Sequence, residues 1–230
     1  MQLKNTIKKY FTVWWIPLAA YLIPMAVYFL GNILRRDFVI DLSVLLFLIN
    51  ILLTFISAVV QIRIRKWQFI FPQFIISALL FFCFSFIFSF AEPDYYGAHK
   101  EIPSNIKVEI PLDREIINSD LSQNDFKLSS DSQPGMYKYY TNFQPKQKGH
   151  FYLKVFEITS NDRLSEDGIN SASKINIDTL RKTLYSSDFT IYEGSWGDKY
   201  GGRIELWFKP ENGKEFKLKQ KNYIVEGWMR

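Results

Sequence analysis

Residues 42–62 read LSVLLFLINILLTFISAVVQI, 21 positions in succession without a charge. At a helical rise of about 1.5 Å per residue, such a run crosses a hydrocarbon layer of roughly 30 Å. Two more runs flank it, 25 uncharged residues between Lys9 and Arg35 and another 25 over 67–91. Core helices of water-soluble proteins seldom stay uncharged for so long. Three such runs in succession predict a membrane protein with three transmembrane helices, over about 11–33, 39–61 and 67–90. The first run exceeds the ~7 to 15 apolar residues of a cleaved signal peptide and no Ala-x-Ala site follows it, so it reads as an uncleaved signal anchor.

The averages of the chain conceal this. Its 230 residues carry 28 Lys/Arg and 23 Asp/Glu, a net charge of +5, and a mean hydropathy of −0.06. Eight of those cations and two of the acids fall in residues 1–90, leaving 20 and 21 for the remainder, so the parts carry +6 and −1. The positive excess borders apolar segments instead of lining a folded face, which argues against a nucleic-acid partner and names the lipid bilayer instead.

Orientation follows from Lys and Arg in the short flanks. Lys4, Lys8 and Lys9 precede the first span, and Arg63, Arg65 and Lys66 fill the turn between the second and third. The other side holds Arg35, Arg36, Lys100 and Lys107. Six against four predicts a cytoplasmic N-terminus in the cell inner (plasma) membrane, with the C-terminal region in the periplasm or cell exterior.

Two residues depart from hydrocarbon inside the second span. Asp41, near its outer end, reads as hydrated or paired with Arg35 or Arg36. Asn50, near its middle, reads as a bond to another helix. Pro17 and Pro24, seven apart on one face, each remove a backbone donor and predict kinks. In the third span, Phe82, Phe84, Phe86, Phe88 and Phe90 alternate as in a strand. The uncharged length and the lack of turn residues decide for a helix with rings all round its axis, suited to lipid.

The expected organisation is a three-helix anchor over 1–91, a juxtamembrane linker over 92–104, and an extracytoplasmic, mainly antiparallel β-sandwich-like domain over 105–230. Period-two alternation predicts strands at Ile106–Ile110, Phe126–Leu128, Met136–Phe143, His150–Ile158 and Tyr223–Trp228. Residues 203–209 and 216–219 predict a hairpin about Pro210-Glu211-Asn212-Gly213. Within 160–187 the pattern is ambiguous, and Asp178–Leu184 reads as a short capped helix or as loop.

Little in this domain points to catalysis. The one cysteine, Cys83, lies inside the third span, and the two histidines, His99 and His150, are 51 residues apart. No zinc spacing, nucleophile elbow, phosphate loop or dinucleotide fingerprint is present. The expectation is no catalytic residue, no metal and no cofactor. Carboxylates at Glu193, Asp198 and Glu205 could form a glycosidase pair, and Asn161, Asp162, Glu166 and Asp167 a Ca²⁺ site, but no spacing selects either set.

The most distinctive run is Glu193-Gly194-Ser195-Trp196-Gly197-Asp198-Lys199-Tyr200-Gly201-Gly202-Arg203. Aromatic faces beside acids and an arginine suit a glycan or peptide, so Glu193, Trp196, Asp198, Tyr200 and Arg203 are the candidate ligand-binding residues. A plain β connection with a tucked Trp explains the same residues. The chain therefore reads as a membrane-anchored extracytoplasmic binding protein without catalysis. The alternatives are a subunit of a larger envelope or transport assembly, packed on another membrane protein or on its own copies, and a membrane-bound hydrolase using outer-domain carboxylates. A reporter active only outside the cytoplasm, fused after Arg230, is expected to be active; activity of a cytoplasmic reporter alone would overturn the orientation.

Overall fold

The computed structural model describes residues 2–90 and 93–228, without the side chains of residues 2–4 and 90, so Lys4 lies outside the described side chains. The chain forms two compact units, Met1–Pro93 and Asp94–Arg230.

The first unit is helical: α1 Gln2–Thr12, α2 Ile16–Ala19, α3 Leu22–Leu34, α4 Asp37–Arg63 and α5 Ile70–Phe90, the last preceded by a 3₁₀ turn at Trp67–Phe69. Three segments are long and apolar enough to cross a membrane: Ile16–Leu34, Asp37–Arg63 and Trp67–Ser89. The first begins later than expected because the chain turns at Val13–Trp15. Both prolines account for such breaks. Pro17 and Pro24 cannot bond the carbonyls of Val13 and Ala20, four residues back, and each carbonyl accepts instead from the residue before the proline, Ile16 at 3.2 Å and Ile23 at 3.1 Å. The expected kinks are thus tightened turns one residue ahead of each ring.

Packing within this unit is the reverse of a water-soluble bundle. The buried face of α4 runs Ile40, Ser43, Phe47, Asn50, Thr54, Ser57, Gln61, alternating steps of three and four, and five of these seven are polar. Its outer faces expose Leu42, Leu45, Leu48, Leu52, Phe55 and Val59. Asn50 is 5% exposed. Its Oδ1 accepts from the Tyr10 hydroxyl at 2.7 Å, and its Nδ2 donates to the Pro17 carbonyl at 3.1 Å. Gln61 donates to Ser57 and to Gln73 of α5. Asp41, by contrast, is exposed near the start of α4.

Helix α5 meets the others through Phe84, which stacks on Phe47 with ring centres 4.5 Å apart, while Phe71, Phe82 and Phe86 point outward. The Ser57 hydroxyl donates to the Phe11 carbonyl, and Trp14 stacks on Phe69 at 5.8 Å. These contacts bring Lys8 and Lys9 to the same end of the unit as Arg63, Arg65 and Lys66, while Gly31 against Ile40 marks the end that holds Arg35 and Arg36.

The second unit contains two antiparallel sheets and no closed barrel. Its strands are β1 Phe126–Ser130, β2 Met136–Thr141, β3 Gly149–Glu157, β4 Ile175–Ile177, β5 Tyr185–Thr190, β6 Tyr200–Pro210 and β7 Phe216–Val225, with α6 Glu166–Ala172 between β3 and β4. One sheet has the order β1-β2-β5, the other β4-β3-β6-β7. Inward residues of both, including Phe126, Leu128 and Tyr139 from one and Phe151, Leu153, Ile204 and Leu206 from the other, form a single core. This two-layer arrangement is consistent with the sandwich expected from alternation.

Several elements differ from expectation. Residues 106–110 are not a strand: Glu109 alone bridges β7, donating to Asn222 O at 2.8 Å and accepting from Ile224 N at 2.9 Å. Pro111 then ends the ladder for want of an N–H, and Leu112 crosses to pair with β1. Asp178–Leu184 is loop; seven residues with Leu180 half exposed bury too little to offset helix nucleation. The helix of that region is α6, whose only buried residue is Ile169. Tyr223–Trp228 is no separate strand, since β7 runs unbroken from Phe216 to Val225.

The expected linker covers 92–104. Ala91 and Glu92 lie outside the described residues, but Asp94 onward packs on the β unit. Asp94 Oδ2 accepts from Gly194 N at 2.7 Å, its carbonyl accepts from the Ser195 hydroxyl at 2.6 Å, and Tyr96 lies edge-on to Tyr200 at 5.6 Å. Gly97 is required there, because a Cβ would stand 2.5 Å from the Tyr200 ring.

Asn50→Ala removes both side-chain bonds and strands the Pro17 carbonyl. It is expected to cost about 1–2 kcal/mol in the unfolding of the purified chain in mixed micelles, whereas Ile49→Ala, on the outer face, costs under about 0.5 kcal/mol.

Candidate functional site

The glycine-rich run does not assemble a site. Glu193 is held by α6: its carboxylate accepts from Ser165 N at 2.7 Å and Ser165 Oγ at 2.6 Å, stabilising that residue in a left-handed conformation at φ 41°. Tyr200 is fully buried, and its hydroxyl donates to the Glu193 carbonyl at 2.7 Å. Burial pushes that hydroxyl far above the ordinary tyrosine pKa. Asp198 is buried as well, and Gly197 N donates to Glu226. Trp196 alone stays open, at 45% exposure.

Arg203 is three residues beyond Tyr200 on the same strand and therefore faces the opposite side. It donates to Asn161 at 2.7 Å, pairs with Glu205 at 3.2 Å, and lies 4.6 Å over Phe156. The structure thus separates the five candidates: the loop around Glu193 and Tyr200 clamps Asp94–Gly97, and Arg203 belongs elsewhere. Neither carboxylate set converges. Glu193 is tied to Ser165, Glu205 to Arg203, Lys217 and Trp207, and Asn161 already accepts from Arg203. Among the described residues no three His, Cys, Asp or Glu side chains group as metal ligands would.

A different cleft, of about 410 Å³, opens on the outward face of the four-stranded sheet beside α6. Strand β3 contributes His150, Tyr152 and Lys154 at every second position, β6 contributes Lys209, and the α6 segment contributes Arg163, Glu166, Asn170, Ser171 and Lys174. Glu215, from the β6–β7 turn, closes one end.

That end is neutralised. Glu215 accepts from Lys154 and from the Tyr152 hydroxyl, and the lysine holds its carboxyl below the usual range. Lys154 also lies 3.9 Å above the Trp207 ring. Arg163 is held by Asn170 at 2.8 Å and faces Glu166 at 3.7 Å.

The other end is not neutralised. His150 stands opposite Lys209 on β6 and opposite Asn176 on β4, which puts Lys174, two residues earlier, on the same face. Among the described residues neither Lys174 nor Lys209 makes an ion pair. Burial, then these two lysines, press the His150 pKa below its ordinary value, against a smaller upward pull from Glu215. The Ser171 hydroxyl donates to Asp167 O, so it is not aimed at the histidine.

A second polar cleft, of about 380 Å³, has the opposite sign, with Asp113, Glu115, Asp131 and Asp188 against Arg114 and Lys138. Its arginine is engaged by Asp120 at 2.8 Å.

Sequence reasoning missed the basic cleft. Its signal was the outward register of β3 and β6, Tyr152/Lys154 and Arg203/Glu205/Trp207/Lys209. Lys174 joins them only through the pairing of β4, a strand too short to be read from pattern.

No protein family matches the chain, and no curated protein does. Among solved structures, the chain is similar to the X-ray crystal structure of a putative lipoprotein from Bacillus anthracis, at 11% identity and a TM-score of 0.31, over 56% of this chain and 99% of that one.

Tyr200→Ala is expected to destabilise the β unit by about 3–5 kcal/mol in urea unfolding of the full chain. Trp196→Ala, despite removing the larger side chain, should stay within about 0.5 kcal/mol. Equal losses would show that Trp196 is part of the fold.

Proposed function

We propose that this chain is a membrane-anchored binding protein without catalysis. Its helical unit spans the inner (plasma) membrane with the N-terminus in the cytoplasm, and its β unit takes a ligand on the extracytoplasmic side. The anchor reading is supported by the inverted burial of α4, with polar residues inside and leucines outside, a pattern that water would penalise and hydrocarbon rewards. The orientation rests on the cations gathered at the Lys8 and Arg63 end.

The observation that carries the binding reading is the open cleft on the four-stranded sheet, where convergent side chains from β3, β6 and α6 leave two lysines without an ion-pair partner among the described residues. Glycans and peptides of the envelope remain the ligand classes in view. The assembly-subunit reading draws on a separate feature, an apolar groove of about 230 Å³ between α4 and α5, lined by Tyr21, Thr54, Phe55, Phe74, Ser77 and Phe81. Extraction as a monodisperse monomer would count against it.

The test uses Lys174→Cys and, separately, the exposed loop position Lys182→Cys, each in a Cys83→Ser background. A membrane-impermeant maleimide should label both in intact cells stripped of their outer layers. Added envelope polysaccharide and peptide fractions should slow labelling at 174 severalfold and leave 182 unchanged. Labelling only after permeabilisation would overturn the orientation, and equal rates at the two positions would overturn the ligand cleft.

A further inference from the structure

Within the cleft the charges divide into two groups. Lys154 with Glu215, and Arg163 with Glu166, form balanced pairs at one end. At the other end Lys174 and Lys209 flank His150 with no carboxylate bound to either among the described residues. Cross-strand neighbours stand only about 4.5–5.5 Å apart at Cβ, and like charges so placed repel. Burial first, and then the two lysines, lower the pKa of the imidazole and so favour its neutral form. Lys154 cannot relieve the crowding, because it is committed to Glu215 and to the Trp207 ring. Two ammonium groups and an imidazole N–H line one concave wall, and Glu215, the acid whose field reaches His150 and Lys209, is bonded to Lys154 and Tyr152 instead; this is a donor set suited to an oxyanion.

We propose that the His150 end of the cleft is an oxyanion site, in which Lys174, Lys209 and His150 receive a phosphate or carboxylate group carried by the ligand. This rests on the reading of the cleft as a ligand site and names the chemistry of that ligand. The second polar cleft, with its four carboxylates, would repel the same group, so one face of the β unit is selective. The anion can come from a soluble or wall-bound molecule or from a lipid headgroup.

The test is calorimetric titration of tripolyphosphate into the full chain held in zwitterionic phosphatidylcholine nanodiscs. Wild type should bind, with affinity falling as salt rises. The double variant Lys174→Ala with Lys209→Ala should bind at least about tenfold more weakly, while Glu166→Gln, which removes an exposed carboxylate, should bind severalfold more tightly. Both lysines are exposed, so the double variant should melt as wild type does. Repeating the titration in phosphatidylglycerol nanodiscs at matched ionic strength separates the sources: lost binding assigns a lipid headgroup, retained binding a soluble ligand.

No binding by wild type, or equal affinity in the double variant, would overturn the proposal. If tripolyphosphate fails while the envelope fraction still protects Lys174→Cys from labelling, the oxyanion chemistry falls and the ligand cleft stands. If protection fails too, both fall.

Discussion

The Asn50 carboxamide uses both of its ends inside the helical unit. One accepts from Tyr10, the other donates to the Pro17 carbonyl, and the backbone around that carbonyl is altered because proline ends the regular bonding of its helix. The underlying constraint is general: a polar group withdrawn from water must find its partner within the protein. On α4 it is met along the buried row Ser43, Asn50, Thr54 and Ser57, and the bond from Gln61 Nε2 to Gln73 Oε1 joins α4 to α5 while the other end of each of these amides finds no hydrogen-bond partner among the described residues. With leucine and phenylalanine outside, these few polar contacts and the Phe47–Phe84 stack fix which faces meet. Close packing and hydrogen bonds, not the hydrophobic effect, are the forces that choose helix faces wherever the surroundings are hydrocarbon.

The same constraint shapes the β unit, whose burial pattern is the opposite one. Here the apolar residues point in, and several of the polar groups that fold in with them are tied off locally. Glu157 is fully buried, and one of its carboxylate oxygens accepts from the backbone and hydroxyls of Thr159 and Ser160. Burial raises the cost of its charge, yet those bonds hold its pKa down to about 2. Glu193 does the same work for Ser165, and Asp94 for the Gly194–Ser195 loop. The residues that looked most like a recognition loop are thereby spent on joining the first residues of the unit to its sheet.

Much of the fold was legible because it rests on periodicity. Charge-free length marked the helices, and alternation marked β2, β3 and the β6–β7 hairpin, which carry most of the core. What failed was short or depended on a neighbour. Residues 106–110 alternate well but are cut off by Pro111. Strand β4 has three residues and exists because β3 offers an edge. Helix α6 carries one buried side chain, Ile169, too little for a period to show. The spacing of the candidate residues was not legible for a related reason: Tyr200 and Arg203 are near in sequence, but an odd separation on a strand sends one into the core and the other to the surface.

The sequence by itself determined the division of the chain into an apolar helical part and a strand-rich part, the places where prolines interrupt the first helix, and the apolar side of β3 and of the β6–β7 hairpin. These follow from local length, composition and period. Only the tertiary structure decided that Asn50 meets Pro17, that residues from Asp94 onward join the β unit, and that Lys174, Lys209 and His150 share one wall. Those are meetings between segments far apart in the chain, set by strand pairing and helix packing, and no local pattern records which distant partner a polar or charged side chain will find.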